Sequence, residues 1–275
     1  MRKKPLFQTF IGIDQTGAIL PGSHGARTRP LAWAIVHLRD KRLHLQIPDK
    51  RLKAFDLQEI EKSAGDTGYT ATLVDCVLGL PHEGPPWSLA MRRISRLPPI
   101  FGRRPAEVFF SSLLDPARTI PSRLCEEIAQ ANSVFRSRPF QKNIQTGTFR
   151  IWMDMSNDPR KSEWVIWPFA QKTGKFTLFE GYPSLLWRTL AQQKTRAPEK
   201  LAEWLTNQAV QFRATDARLF RSDPDLADAV MLAVGGALLQ KQGRLLQPFP
   251  GFFQSKQYRT RAQVEGWIAG LPREL

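Results

Sequence analysis

Two cysteines, Cys76 and Cys125, are all that this chain of 275 residues contains. That excludes a disulfide framework and leaves no cysteine spacing for a zinc site. Histidine is nearly as scarce: His24, His37, His44 and His82 are scattered, and none is assigned as a ligand or a base. Long apolar runs are also missing. None approaches the roughly 20 residues of a membrane span, and the short run in MRKKPLFQTFIGID stops at Asp14, unlike a secretory signal. A soluble, cytoplasmic protein is expected. Cys76 and Ser184 have no evident base partner, so nucleophilic hydrolase chemistry is not expected.

Acids are short of bases, 25 against 40, which leaves a formal charge of +15. So large an excess favours a polyanionic partner, nucleic acid first and an anionic membrane surface second. What is present is otherwise ordinary. With 42% hydrophobic and 24% charged residues the chain is globular rather than disordered. Its length suffices for one large domain over 1–275, carrying an insertion.

Residues 6–13 (LFQTFIGI) read as a buried strand ending at Asp14. Residues 15–30 form a Gly/Pro/Ser/Thr-rich loop. Residues 31–38 and 43–47 make an antiparallel hairpin, 55–64 a helix, and 71–80 (ATLVDCVLGL) an apolar strand interrupted by Asp75. The order so far is β, β, β, α, β. Residues 82–145 break the pattern as a Pro/Arg-rich insertion, with helices expected at 88–96 and 122–133. Its Phe101, Phe109, Phe110, Phe135 and Phe140 interleave with arginines. Such rings can stack bases, but packing the insertion's own small core is the favoured reading. Residues 147–153 (GTFRIWM) read as a strand, 165–169 as a short apolar segment, and 175–179 (KFTLF) as a strand delivering Glu180. Helices follow from about 183, from 197–199 and over 223–242. The tail 248–275 is loop-rich, with a short helix at about 262–268.

The stretch DPDLADAVMLAVGGALLQKQ opens with Asp223 and Pro224, an N-cap and a first-turn proline. Asp225 and Asp228, three residues apart, project from one side of that turn. Alone, first-turn acids only complement the helix dipole. Acids elsewhere change the reading. Asp14 ends a hydrophobic strand, Asp75 interrupts one, and Glu180 ends a third. A lone carboxylate in a sheet costs several kcal/mol or is neutralised; clustered around a cation it is tolerated. Asp14, Asp75, Glu180, Asp225 and Asp228 are therefore the candidate catalytic residues. An all-oxygen donor set from Asp14, Asp75, Asp225 and Asp228 points to Mg²⁺ or Mn²⁺, one or two ions able to activate water for phosphodiester hydrolysis. Surrounding cations, with Arg92, Arg93, Arg96, Arg103 and Arg104 the foremost candidates, would hold the nucleic-acid backbone.

The β-β-β-α-β order, with acids on the first strand, the fourth strand and the last helix, resembles the ribonuclease H-like fold. The final DLADA is similar to the closing acidic helix of Holliday-junction resolvases. More closely, GID, VDCVLGLP, RIW followed by WPF, FEGYPSLLW and the late EGWI resemble an uncharacterised family of predicted RNase H-like nucleases. The resemblance covers most of the chain and thins over 82–140. It implies an α/β fold with three antiparallel strands, then parallel strands, flanked by helices. It implies Asp14 as the central metal-bridging acid and Asp228 as the closing ligand, with Asp225 beside it. Asp75 would fill the middle acid's place or orient the substrate, and Glu180 matches the EGYP-like motif. The expected activity is divalent-metal-dependent nuclease action. Two alternatives stay open: a non-catalytic nucleic-acid-binding protein of the same fold, and an actin-like phosphotransferase or ATPase, whose strand–Asp–Gly/Thr turn DQTGA resembles.

Overall fold

Apolar residues on both faces of a strand mark it as covered on both sides, and β1 (Thr9–Asp14) is buried along its whole length. The computed structural model describes residues 7–15, 29–65, 68–81, 84–114, 122–131, 135, 142–170, 173–246 and 255–271. In it β1 is the middle strand of a seven-stranded mixed sheet. On one side β1 pairs antiparallel with β2 (Ala32–Arg39), which turns back into β3 (Arg42–Gln46). The turn places Asp40 and Lys41 at φ 48° and 63°, the left-handed pair that matches the twist of a tight hairpin. On the other side lie β4 (Thr70–Val74), β6 (Phe176–Glu180) and β5 (Trp164–Ile166), all parallel. A two-residue strand, β7 (Val210–Gln211), runs parallel to the far edge of β3.

Alternation along the strands divides the core. Phe10, Ala34, Leu73 and Phe179 face one layer, and Ile11, Ile13, Val74 and Leu178 the other. The first layer is built on α9 (Pro224–Lys241), a helix buried on nearly every side. Around it pack α6 (Pro183–Thr189), α7 (Pro198–Asn207) and α8 (Ala214–Ser222). The opposite face is covered by α1 (Leu57–Ala64) and α5 (Lys142–Asn157). Beyond α5 lies the first part of the insertion, with α2 (Trp87–Ile94) and α3 (Arg103–Leu113), whereas its α4 (Leu124–Ala129) packs into the layer of α9. The chain's described part closes with α10 (Lys256–Glu265) and a single bridge from Ile268 to Glu180. Among the described residues no helix is long and apolar enough to cross a membrane.

Gly12 sets how closely α9 approaches β1. A Cβ there would stand 1.9 Å from the Ala229 carbonyl oxygen and 2.5 Å from the Ala233 nitrogen. Both are helix backbone and cannot swing aside. Gly12→Ala is therefore expected to lower stability by about 2 kcal/mol, within the usual range for overpacking, measurable as a fall in the urea midpoint.

Several expectations need correction. Residues 147–153 are not a strand but the middle of α5. The misreading has a physical cause: Ile151 and Met155 pack toward the sheet, while Phe149, Trp152 and Met153 pack into the insertion. A helix with apolar faces on opposite sides reads as a continuous apolar run. The strand expected over 71–80 ends at Val74, so Asp75 does not interrupt a strand but follows one. The two-residue β7, α8 and α3 were not anticipated, and the tail helix lies earlier than 262–268. The phenylalanines of the insertion do pack its core: Phe109, Phe110 and Phe135 are buried together with Phe149 and Trp152, ring to ring at 5.3–6.5 Å. Segment 16–28 of the expected loop, and Phe140, lie outside the described residues.

Candidate active site

Register brings the first two acids together. Ile13 is paired with Val74, so the parallel strands β1 and β4 end side by side and release Asp14 and Asp75 at the same edge. The Asp75 backbone N–H still bonds the Ile13 carbonyl at 2.9 Å. Asp14 shares the pleat of Phe10 and Gly12, the face against α9. The α9 N-terminus meets that edge. Asp223 caps it, its Oδ1 accepting from the Leu226 N–H at 3.2 Å, and Pro224 occupies the first helical position. Asp225 and Asp228 follow one turn in, where the helix dipole favours negative charge.

These four acids line one cleft of about 350 Å³ together with Gln15, Arg29, Tyr182, Ser184 and Arg196. Asp228 is nearly inaccessible at 3% exposure and firmly held. Trp187 donates its indole N–H to Oδ1 at 2.7 Å, and Arg196 pairs with Oδ2. Asp225 lies at the rim, 4.0 Å from the Arg51 guanidinium, which also pairs with Asp223.

The electrostatics record how the carboxyls crowd. Burial first, then the charges of Asp75, Asp228 and Asp225, push the Asp14 carboxyl well above the usual carboxylate range. Burial, followed by repulsion from Asp228, raises Asp75 to about 7. The interaction between the Asp14 and Asp75 carboxyls raises the first and lowers the second, so the two titrate as a coupled pair. Asp228 is also raised, chiefly by burial, against the pull of Trp187 and Arg196. As the side chains stand, no group of three or more acids, histidines or cysteines among the described residues is drawn together closely enough to hold a metal ion.

The chain matches no protein-family model, no curated protein and no solved structure. The site is therefore read from its own geometry.

Glu180 stands apart from the other four. It shares the pleat of Leu178, on the face opposite α9, and both its oxygens are bound by Arg123, at 2.6 and 2.7 Å. Its Oε2 also accepts from the Leu78 N–H at 2.9 Å. Arg123 in turn bonds Glu126 and the Glu265 carbonyl, each at 3.0 Å. Glu265 accepts from the Leu124 N–H at 2.6 Å and the Arg261 guanidinium at 3.0 Å. This buried network joins β6, α4, α10 and the segment after β4 behind the cleft. Glu180 lies outside the lining of the cleft.

Sequence reasoning missed Gln15, Arg29, Trp187 and Arg196. Gln15 is 5% exposed, and its Oε1 has no hydrogen-bond partner among the described residues. It fits only because residue 147 is glycine, whose missing Cβ would stand 1.2 Å from that oxygen. Arg29 is fixed through its carbonyl, which accepts from the buried Arg150. Adjacency to Asp14 was the one signal for Gln15; Arg196, in the link between α6 and α7, had none.

Proposed function

We propose that the chain is a divalent-metal-dependent phosphodiester hydrolase acting on nucleic acid, with Asp14, Asp75 and Asp228 as the working acids and Asp225 at the rim. The observation that carries this reading is the convergence of these carboxylates from β1, the end of β4 and the first turn of α9 on one cleft. The fit to a hard cation rests on the donor set. All the charged donors are oxygens, and the buried Gln15 Oε1, without a partner among the described residues, adds a neutral oxygen to the same wall. Asp14, Asp75 and Asp228 would hold the ion, which requires Arg196 to release one Asp228 oxygen. A bound Mg²⁺ or Mn²⁺ supplies an activated water and charge stabilisation at the scissile phosphate. Arg29 and Arg196, on the cleft wall, suit the phosphate oxygens.

The mixed sheet, antiparallel then parallel, supports the resemblance to RNase H-like nucleases. The exposed side chains of Arg92 and Arg93 on α2, Arg96 just after it, and Arg103 and Arg104 on α3 are suited to a phosphate backbone. The test is incubation with single-stranded, branched and hybrid substrates in Mg²⁺ or Mn²⁺. Cleavage is expected; cleavage that survives the double change Asp14→Asn, Asp228→Asn would sink the site.

A pH signature follows. With Asp75 held at about 7, the folded chain binds more protons than the unfolded one between about pH 4 and 7. Without cation, stability therefore falls as pH rises through that window. Cation binding must displace the proton. Mn²⁺ affinity is expected to rise with pH, at least about tenfold per unit up to about pH 7, as titration calorimetry at pH 5.5 and 7.0 would show. A flat profile would contradict the protonated pair.

A further inference from the structure

A second hollow, of about 480 Å³, lies between α6 and α7. Trp187 links it to the cleft: it lines the hollow while its indole N–H holds Asp228, which lines the cleft. The segment joining the two helices also serves both, contributing Gln192 to the hollow and Arg196 to the cleft. On α7, Leu201 and Leu205 face the core. Lys200, Trp204 and Asn207, at three- and four-residue spacing, line the hollow. This helix therefore presents a tryptophan, the cation of Lys200 and the acid of Glu203 to solvent-filled space, not only to packing.

The chemistry of the lining is specific. Both indole N–H groups are engaged within the protein, Trp187 with Asp228 and Trp204 with the Leu190 carbonyl at 3.3 Å. What the half-buried Trp204 offers a ligand is ring surface. The side-chain amides of Gln192, Asn207 and Gln208 make no hydrogen bond to another described residue, and each can donate and accept. Lys200 stands at the mouth, within 3.3 Å of Gln193 Oε1. A flat heteroaromatic ring with mixed donors and acceptors on its edge, joined to an anion, complements this set. That is a nucleotide, and the volume lies within the roughly 300–1,000 Å³ of small-ligand sites.

We propose that the α6–α7 hollow is a nucleotide subsite. Trp204 stacks a base, the amides meet its edge, and Lys200 meets its phosphate. The inference rests on the nuclease reading in one respect: the base bound here belongs to a residue next to the phosphate at the acids. Single strands or unpaired ends are then the favoured substrates, because a paired base cannot enter.

The test uses the full chain in EDTA, so that binding is read without cleavage. Fluorescence anisotropy compares a short labelled single strand with the same strand made abasic at its centre. The intact strand is expected to bind about tenfold tighter, a modest share of what one base–aromatic stack contributes. Trp204→Ala should erase that preference and Trp204→Phe should keep it. Asn207→Ala, at an exposed position, should change the ranking of the four homopolymers without loss of folding. Equal affinity for intact and abasic strands overturns the subsite, even where cleavage by the acids is intact. A base preference that responds to Trp204 without any metal-dependent cleavage upholds the subsite and counts against the nuclease. No binding of either strand overturns both.

Discussion

Replacing Asp14 or Asp75 by asparagine is expected to make the chain more stable and inactive at the same time. Burial holds both carboxyls above their ordinary range, Asp228 adds to both, and Asp75 adds to Asp14. At pH 8 an ionised Asp75 therefore works against folding. Asp75 is raised from 3.8 to about 7, and each unit corresponds to about 1.4 kcal/mol, so Asp75→Asn is expected to stabilise by on the order of 4 kcal/mol at pH 8 without cation. The gain should shrink as pH falls through 7 and vanish below about pH 3, where the acid is protonated in both states. Activity should move the other way and fall at least about a hundredfold, as when a group stabilising transition-state charge is lost. Denaturant melts at the two pH values, set beside cleavage rates, check both halves. A variant that loses activity and stability together would mark the acids as structural.

The second large effect is expected at Arg123, far from the chemistry. Arg123 is 1% exposed and Glu180 3%, and their bidentate pair is the centre of the network joining α4, α10 and β6. Removing one partner of such a pair leaves a buried charge uncompensated, at a cost of about 3–5 kcal/mol. Arg123→Met should lose that much in the urea midpoint. Combining it with Glu180→Leu should restore part of the loss, because the orphaned charge goes with it. The same variants separate the two roles Glu180 has been given. Glu180→Gln should leave Mn²⁺ affinity within about threefold of the parent, whereas a metal ligand would lose far more.

Glu180 also shows where the sequence stopped being legible. An acid at the end of an apolar strand was visible, but not which face its side chain takes. In a sheet covered on both sides, apolar residues sit on both pleats, so the period of two is hidden. Only the register, Val74 opposite Glu180 and Ile13 opposite Val74, places Asp14 and Asp75 together and turns Glu180 the other way. Asp225 and Asp228 were easier, because Asp223-Pro224 fixes where α9 starts and hence which acids share its first turn. The first three strands and their hairpin were legible from β-branched runs and turn residues, and α9 from its caps. Helix α5 was not, being apolar toward two layers, and Arg196 could not be, since a loop arginine acquires a partner only through the tertiary fold.

The most direct test of the central claim is anomalous diffraction from crystals of the chain soaked in Mn²⁺ at pH 8. The account predicts a manganese peak coordinated by Asp14, Asp75 and Asp228, with Arg196 turned away from the Asp228 oxygen it now holds. A cleft with no manganese, Arg196 still on Asp228 and the Asp14–Asp75 pair intact would contradict it.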